Sequence, residues 1–348
     1  PSAPQRRRSR QCLGMVAEQH LGGAGQLVKS RRLVDVGRHR RLPGAERPSA
    51  TSRSPIVSVR LSSAGTVTGL PYHDLMAFDL PKTLSPSKVS TFTDCALSFR
   101  FSAVERLPEP PSIAAERGTL VHRALEHLYV LTPSDRTPDA AAACLDQAAL
   151  EAWDDPDVQA LGLDDAGKAT FQAEAAEMTQ RIFMLEDPTR VNAVGLELRM
   201  ETELAGTRLR GIIDRLELTT DGELVVTDYK TGRPPSERYE QSKLGGVHLY
   251  SLLCERVLGR RPARVQLLFL GKNPQAIIAT PSEQSTKGLE RRVGAIWTAV
   301  VRACEHEDFR PKPGPLCKWC AFAKYCPTQG GDPAQAAVEL GSKPTRPS

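Results

Sequence analysis

Two groups of residues in this chain have the types and spacing to do chemistry. Asp214, in Gly211-Ile-Ile-Asp214-Arg215, precedes Asp228-Tyr229-Lys230 by a short stretch that contains an Asp221-Gly222 turn signal. Two carboxylates carried on neighbouring strands would offer oxygen donors to a hard divalent cation such as Mg2+ or Mn2+. Lys230, two residues beyond Asp228, shares its strand face, where an ammonium can orient an attacking water or stabilise charge on a phosphate. Without that pairing the same residues read as an exposed Asp and a Lys ending a surface strand. The second group is Cys317-Lys-Trp-Cys320 followed by Cys326-Pro327, a C-x2-C-x5-C run in a Pro- and Gly-rich loop. Thiolates so spaced call for a fourth ligand around zinc or an iron–sulfur cluster, and the spacing does not choose between them. Cys144, Cys254 and Cys304 stand singly in helical segments, where small buried thiols are ordinary.

The elements that must position these groups follow from periodicity and capping. Ser85-Pro86 opens a short helix that runs to Cys95, and 114–131 is helical with Leu120, Val121, Leu125 and Leu128 on one face. Ala-rich stretches at 138–153 and 165–187 read as two further helices, together a helical insertion over about 135–190. From Val194 the period becomes two. Strands 194–204, 207–218 and 223–228, separated by Ala205-Gly206 and Asp221-Gly222, form an antiparallel meander. A helix over 236–257, strands at 264–270 and 276–279, and a helix over about 285–305 complete an α/β chain with a mixed α+β sheet.

With the elements in order, the residues resemble a known family. Gly118-x-x-x-His122 on a helix, then Gly211-x-x-Asp214, then Asp228-x-Lys230, is similar to the RecB-type branch of the PD-(D/E)XK nuclease superfamily over residues 85–328. The resemblance implies a restriction-endonuclease-like core in which His122, Asp214 and Asp228 bind Mg2+ or Mn2+ and Lys230 assists hydrolysis. Glu197 matches a glutamate of the family's first strand that supports metal or water. The resembling group includes the AddB nuclease half and the CRISPR-associated RecB-like exonucleases. In it an upstream cysteine joins three near the C-terminus around a 4Fe-4S cluster, which implies Cys95 beside Cys317, Cys320 and Cys326, with zinc as the alternative. One departure stands out: the family's Gln-x-x-x-Tyr is not matched, since Gly246 precedes Tyr250 by four residues and Gln241 by nine. Tyr250, with His248 near it, remains a DNA-contact candidate or a core tyrosine.

Charge distribution limits the function classes. The net charge of +5 over 348 residues lies in the first 75, which hold 13 Lys and Arg against 4 Asp and Glu; the remainder is slightly acidic. Residues 1–75 lack any core-forming period and are expected to be a disordered basic extension, outside the native protein if Met76 is its start. A nucleic-acid-binding arm and an organellar transit peptide are the other readings of that composition. The expected folded domain is 76–328, with the cysteine cluster at 317–326, and 329–348 is expected to be a disordered tail. Mean hydropathy is −0.33 and no run of 18 apolar residues occurs, so no membrane partner is expected and the expected location is the cytoplasm. The chain carries no G-x-x-x-x-G-K-[ST], so it has no helicase motor of that type. The reading is therefore a metal-dependent DNA exonuclease of repair or recombination, acting on single-stranded or frayed ends, with a helicase or other repair protein as partner. Arg215, Arg233 and Lys243 are the basic residues expected to hold the DNA backbone. The alternatives are a structure-specific endonuclease and a noncatalytic DNA-binding scaffold.

Overall fold

Side-chain caps set where the helices begin. In the computed structural model, which describes residues 77–235 and 237–339, helix α1 (Pro86–Asp94) starts where the Ser85 hydroxyl accepts the Lys88 amide at 3.2 Å. Ser112 caps α2 (Ile113–Val130), Thr137 caps α3 (Pro138–Ala152) and Asp164 caps α4 (Asp165–Gln180), each by accepting an amide of the first turn. Helix α5 (Glu237–Leu258) follows the meander, and a reciprocal Ser282–Ser285 capping box starts α6 (Glu283–His306).

Strands β1 (Ala193–Leu204), β2 (Thr207–Leu218) and β3 (Leu224–Lys230) form the expected antiparallel meander. The β1–β2 turn places Ala205 at φ 51° and Gly206 at φ 79°, the left-handed pair that matches strand twist in a two-residue hairpin. Helix α5 then crosses over, so β4 (Arg264–Phe269) lies parallel to β3, and β5 (Gln275–Ala279) closes a five-stranded sheet in the order β1-β2-β3-β4-β5.

The sheet is covered on both faces. One face carries Leu209, Ile213, Val226 and Val265 into a core with α1, α5 and α6. The other carries Tyr229 and Leu268 into a core with α2, α3 and α4. The mixed sheet between helical layers is the expected fold class. The expected 165–187 helix divides, α4 ending at Gln180 and a single turn following at Ile182–Leu185. A π-helical turn at Arg100–Val104 has no periodic signature in the sequence. The 329–348 tail is corrected in part: Ala334–Glu339 is helix α7, Ala336 is fully buried, and the Tyr325 hydroxyl donates to Glu339 at 2.5 Å. The expectations for 1–75 and 340–348 lie outside the described residues. None of the described helices is long and apolar enough to cross a membrane.

Helix α5 packs tightly against β2 at Gly211. A Cβ there would lie 2.6 Å from Leu253 Cδ1 and 3.0 Å from Tyr250 Cε1, with Leu253 fully buried. Gly211→Ala is expected to lower the unfolding free energy by about 1–3 kcal/mol through overpacking. A denaturant midpoint within error of wild type would show that α5 stands further from the sheet.

Candidate metal centre

Besides a register shift between Ala193 and Gly195, side-chain direction changes further along the β1–β2 ladder. Leu198 and Ile213, directly paired, face the α5 side, whereas the next pair, Leu196 and Arg215, faces the α2 side. A regular strand keeps alternate residues on one face, so the phase flips in both strands between these pairs. The residues at the flip are Glu197, held at φ 44°, and Asp214 opposite it. A left-handed glutamate in a strand costs on the order of 1 kcal/mol or more, strain of the kind that gathers at functional sites.

The flip opens the sheet. Pairing between β2 and β3 runs from Leu218↔Leu224 to Arg215↔Thr227, and beyond it the Asp214 carboxylate enters the gap and accepts the Tyr229 amide at 2.7 Å. From α2, the His122 ring lies against Tyr229, with Nε2 3.1 Å from the Tyr229 carbonyl. A carbonyl only accepts, so Nε2 carries the hydrogen and Nδ1 keeps its lone pair. That Nδ1 lies 3.5 Å from Asp214 Oδ2. Gly118, one turn earlier on α2, leaves room for the loop after β3, since a Cβ there would sit 3.1 Å from Thr231 Oγ1.

His122, Glu197 and Asp214 each place a ligand atom within 4.8 Å of the other two. One imidazole and two carboxylates form a donor set suited to a divalent cation. Burial and the nearby Asp228 push Asp214 up to about 7. Burial and then Asp214 raise Glu197, while burial holds His122 below its usual value and favours the neutral ring that can ligate. The fold thus gathers acidic groups that only a cation can hold ionised together without penalty.

Asp228 stands beside this trio rather than within it. Its buried carboxylate lies 2.5 Å from Lys230 Nζ and hydrogen-bonds the Tyr250 hydroxyl, which burial and the surrounding carboxylates push far above its usual range. Lys230 is 45% exposed and lines two clefts. One, of about 910 Å³, is bordered by His122, Arg123, Glu197 and Arg199. The other, of about 490 Å³, is bordered by Ser85, Ser87, Arg210 and Tyr250.

Of the expected DNA contacts, Arg215 is corrected. Its side chain is fully buried and makes a two-pronged ion pair with Glu186 at 2.5 and 2.7 Å, so it cannot reach a phosphate. Arg233 is exposed, and the Lys243 side chain lies outside the described residues. Two participants escaped sequence reasoning. Tyr229 acts through its main chain, which no residue-type signal marks, and Glu186 acts from the far end of the helical insertion.

Cys95, Cys317, Cys320 and Cys326 line a single cavity of about 810 Å³, and none is in a disulfide. Burial raises Cys320, and the thiols of Cys95, Cys326 and Cys317 raise it further.

Comparison with known proteins identifies the superfamily. The model of the PD-(D/E)XK nuclease superfamily matches residues 83–327, and the chain belongs to that superfamily, whose members are metal-dependent nucleases using divalent cations. The chain is 26% identical over 270 residues to the Gene 69 protein of Mycobacterium phage D29, covering 70% of this chain and 96% of that protein. To the Gene 69 protein of Mycobacterium phage L5 it is 23% identical over 295 residues, covering 71% and 98%. Among solved structures, a Eubacterium rectale protein named "Putative exonuclease" aligns at a TM-score of 0.46 and 14% identity, over 69% of this chain and 87% of that one. The protein SSO0001 aligns at 0.36 and 12%, over 71% and 87%.

The sign of the Asp214 shift gives a test. The folded chain holds this proton up to about pH 7, whereas the unfolded carboxyl releases it near 3.8. The group's contribution to stability is therefore full below about pH 4 and is lost as pH rises through about 7. A cation favours the ionised form, so Mn2+ is expected to raise the melting temperature more at pH 8 than at pH 6 and to release protons on binding. Equal shifts at both pH values would remove Asp214 from the ligand set.

Proposed function

We propose that this chain is a Mg2+- or Mn2+-dependent DNA exonuclease of the RecB type, acting on single-stranded or frayed ends in repair or recombination. The convergence of His122, Glu197 and Asp214, with the Lys230 ammonium alongside, carries the reading. A cation on those ligands would lower the pKa of a bound water for in-line attack on a phosphodiester. The chain's own groups do the rest. The Tyr229 main chain orients His122 and Asp214, and Asp228 holds Lys230 at the junction of the two clefts, where its ammonium meets a phosphate oxygen on a strand lying across it. With no motor motif of its own, the chain takes ends that are already single-stranded or that a helicase partner opens.

The four cysteines hold a 4Fe-4S cluster in this reading. The donor set fits: four thiols outside any disulfide border one cavity. Cys95 ends α1, whose first residues border the cleft of Asp228 and Lys230, so the cluster would fasten that helix to the C-terminal loop. Closing a loop of this length constrains the unfolded chain, which makes the role structural.

Asp214→Ala is expected to abolish cleavage of linear single-stranded DNA while leaving DNA binding within a few-fold. Lys230→Ala is expected to be inactive yet still bind Mn2+. Circular single strands should resist the wild type. Rapid nicking of circles would convert the reading to an endonuclease, and cleavage unchanged in Asp214→Ala would place the site elsewhere.

Anaerobically purified protein is expected to be brown and to contain iron and acid-labile sulfide. Serine at Cys95, Cys317, Cys320 or Cys326 should bleach it, whereas serine at Cys144, Cys254 or Cys304 should not. Stoichiometric zinc without iron would refute the cluster.

A further inference from the structure

Among the described residues, the largest fully buried side chain is that of Arg215, which follows Asp214 of the candidate metal centre. Arg215 has no exposed side-chain surface, and its guanidinium donates to both Glu186 oxygens, to the Tyr229 hydroxyl at 3.1 Å and to Thr227 Oγ1 at 3.2 Å. The Tyr129 ring lies 4.3 Å from its Cζ, and the Tyr129 hydroxyl donates to Glu186. Such a pair is not explained by stability alone, because well-packed apolar residues of similar volume hold a core as well or better. A two-pronged arginine adds direction.

Each partner joins this pair to the site or to the insertion. Arg215 follows Asp214 at the phase flip. Tyr229 receives the Arg215 hydrogen bond on its hydroxyl, donates its amide to Asp214 and accepts His122 at its carbonyl. Tyr129 lies two turns after His122 on α2. Glu186 sits where the helical insertion returns to the sheet. There Arg136 closes the insertion by donating to the carbonyls of Leu131, Pro188 and Val191. The seating of the insertion is thus passed through Glu186 and Arg215 to Tyr229, and through its main chain to two side chains of the trio.

We propose that the buried Glu186–Arg215 pair is a positioning device that clamps the helical insertion against Tyr229 and thereby sets the orientation of His122 and Asp214 toward the divalent cation. The proposal rests on the metal centre of the preceding subsection. Neither residue touches the cation or the substrate, and their effect is on affinity for the ion. Supporting residues of metal ligands typically change affinity by about 10–100-fold when altered.

The test measures Mn2+ binding to the full chain by calorimetry and by the electron paramagnetic resonance of the bound ion. Glu186→Gln and Arg215→Lys are expected to weaken Mn2+ binding by about 10–100-fold and to raise the Mn2+ needed for half-maximal cleavage by the same factor. Excess Mn2+ should restore turnover. Tyr229→Phe removes one hydrogen bond of the chain and leaves both main-chain contacts, so it should weaken binding less, by about 3–10-fold. Val300→Ala, in the core on the opposite face, serves as a destabilised control and should leave Mn2+ affinity within twofold. An affinity within twofold of wild type in Glu186→Gln, even with a lowered melting temperature, would reduce the pair to a structural one. Where Glu186→Gln and Arg215→Lys do not fold, unchanged affinity in Tyr229→Phe overturns the proposal in the same way. A wild type that takes up no Mn2+ overturns the metal centre and this proposal together, whereas loss confined to the variants supports both.

Discussion

The hydrogen bond from the Tyr229 amide to the Asp214 carboxylate is the contact around which the functional region is arranged. It stands where a backbone carbonyl of β2 would otherwise complete the ladder. The site is therefore made by interrupting the sheet, and the interruption is shared by both neighbours of the gap. Glu197 takes a left-handed conformation and Asp214 turns in the same step, so the two carboxylates emerge together while the pairs flanking them, Leu196↔Arg215 and Leu198↔Ile213, keep one register. The well-paired lengths of β1 and β2 supply the stability that offsets the strain at one residue.

Electrostatics explain why this arrangement calls for an ion. Three carboxylates and one imidazole converge beside the larger cleft, and burial of Asp214 next to Asp228 favours its protonated form. The nearby ammonium does not neutralise the trio, because Lys230 is committed to Asp228 at 2.5 Å. Acid and lysine thus form one pair, and the His122, Glu197 and Asp214 set forms a second unit on the wall of the same larger cleft. A divalent cation relieves the second without disturbing the first.

Both layers around the sheet contribute to the site, by different means. The insertion side acts through directional contacts, the Glu186–Arg215 pair and the arginine clasp of Arg136. The other side acts through packing: Phe101 lies against Phe322 and Tyr325 of the cysteine loop, and α1 and α5 bring Ser85 and Tyr250 to the cleft. The cysteine cavity lies at the end of α1 remote from its capped N-terminus, so the two ends of this nine-residue helix serve the two chemical groups of the chain.

Much of this was legible in the residues themselves. Ser85-Pro86 located the first helix, apolar spacing and Ala-rich stretches located the next ones, Ala205-Gly206 and Asp221-Gly222 located the turns, and period-two alternation located β1 and β2, because each is a local property of a few neighbouring residues. The types and spacing of Asp214, Asp228 and Lys230 indicated a cation and a phosphate in the same way, and the family resemblance added His122. Tertiary structure alone decided the phase flip, since alternation read along 194–204 assigns Glu197 to a face without showing that its backbone turns over. It also decided Arg215: an arginine next to a catalytic-type aspartate reads as a phosphate contact, and only Glu186, 29 residues earlier in the chain, draws it inward. The same holds for Tyr229, whose side chain marks a buried strand position while its function rests in a backbone amide and carbonyl. Local sequence specifies the conformation of a segment, but which buried charge finds its partner, and which main-chain group is left for a side chain to satisfy, depends on segments that meet only when the two helical layers close on the sheet.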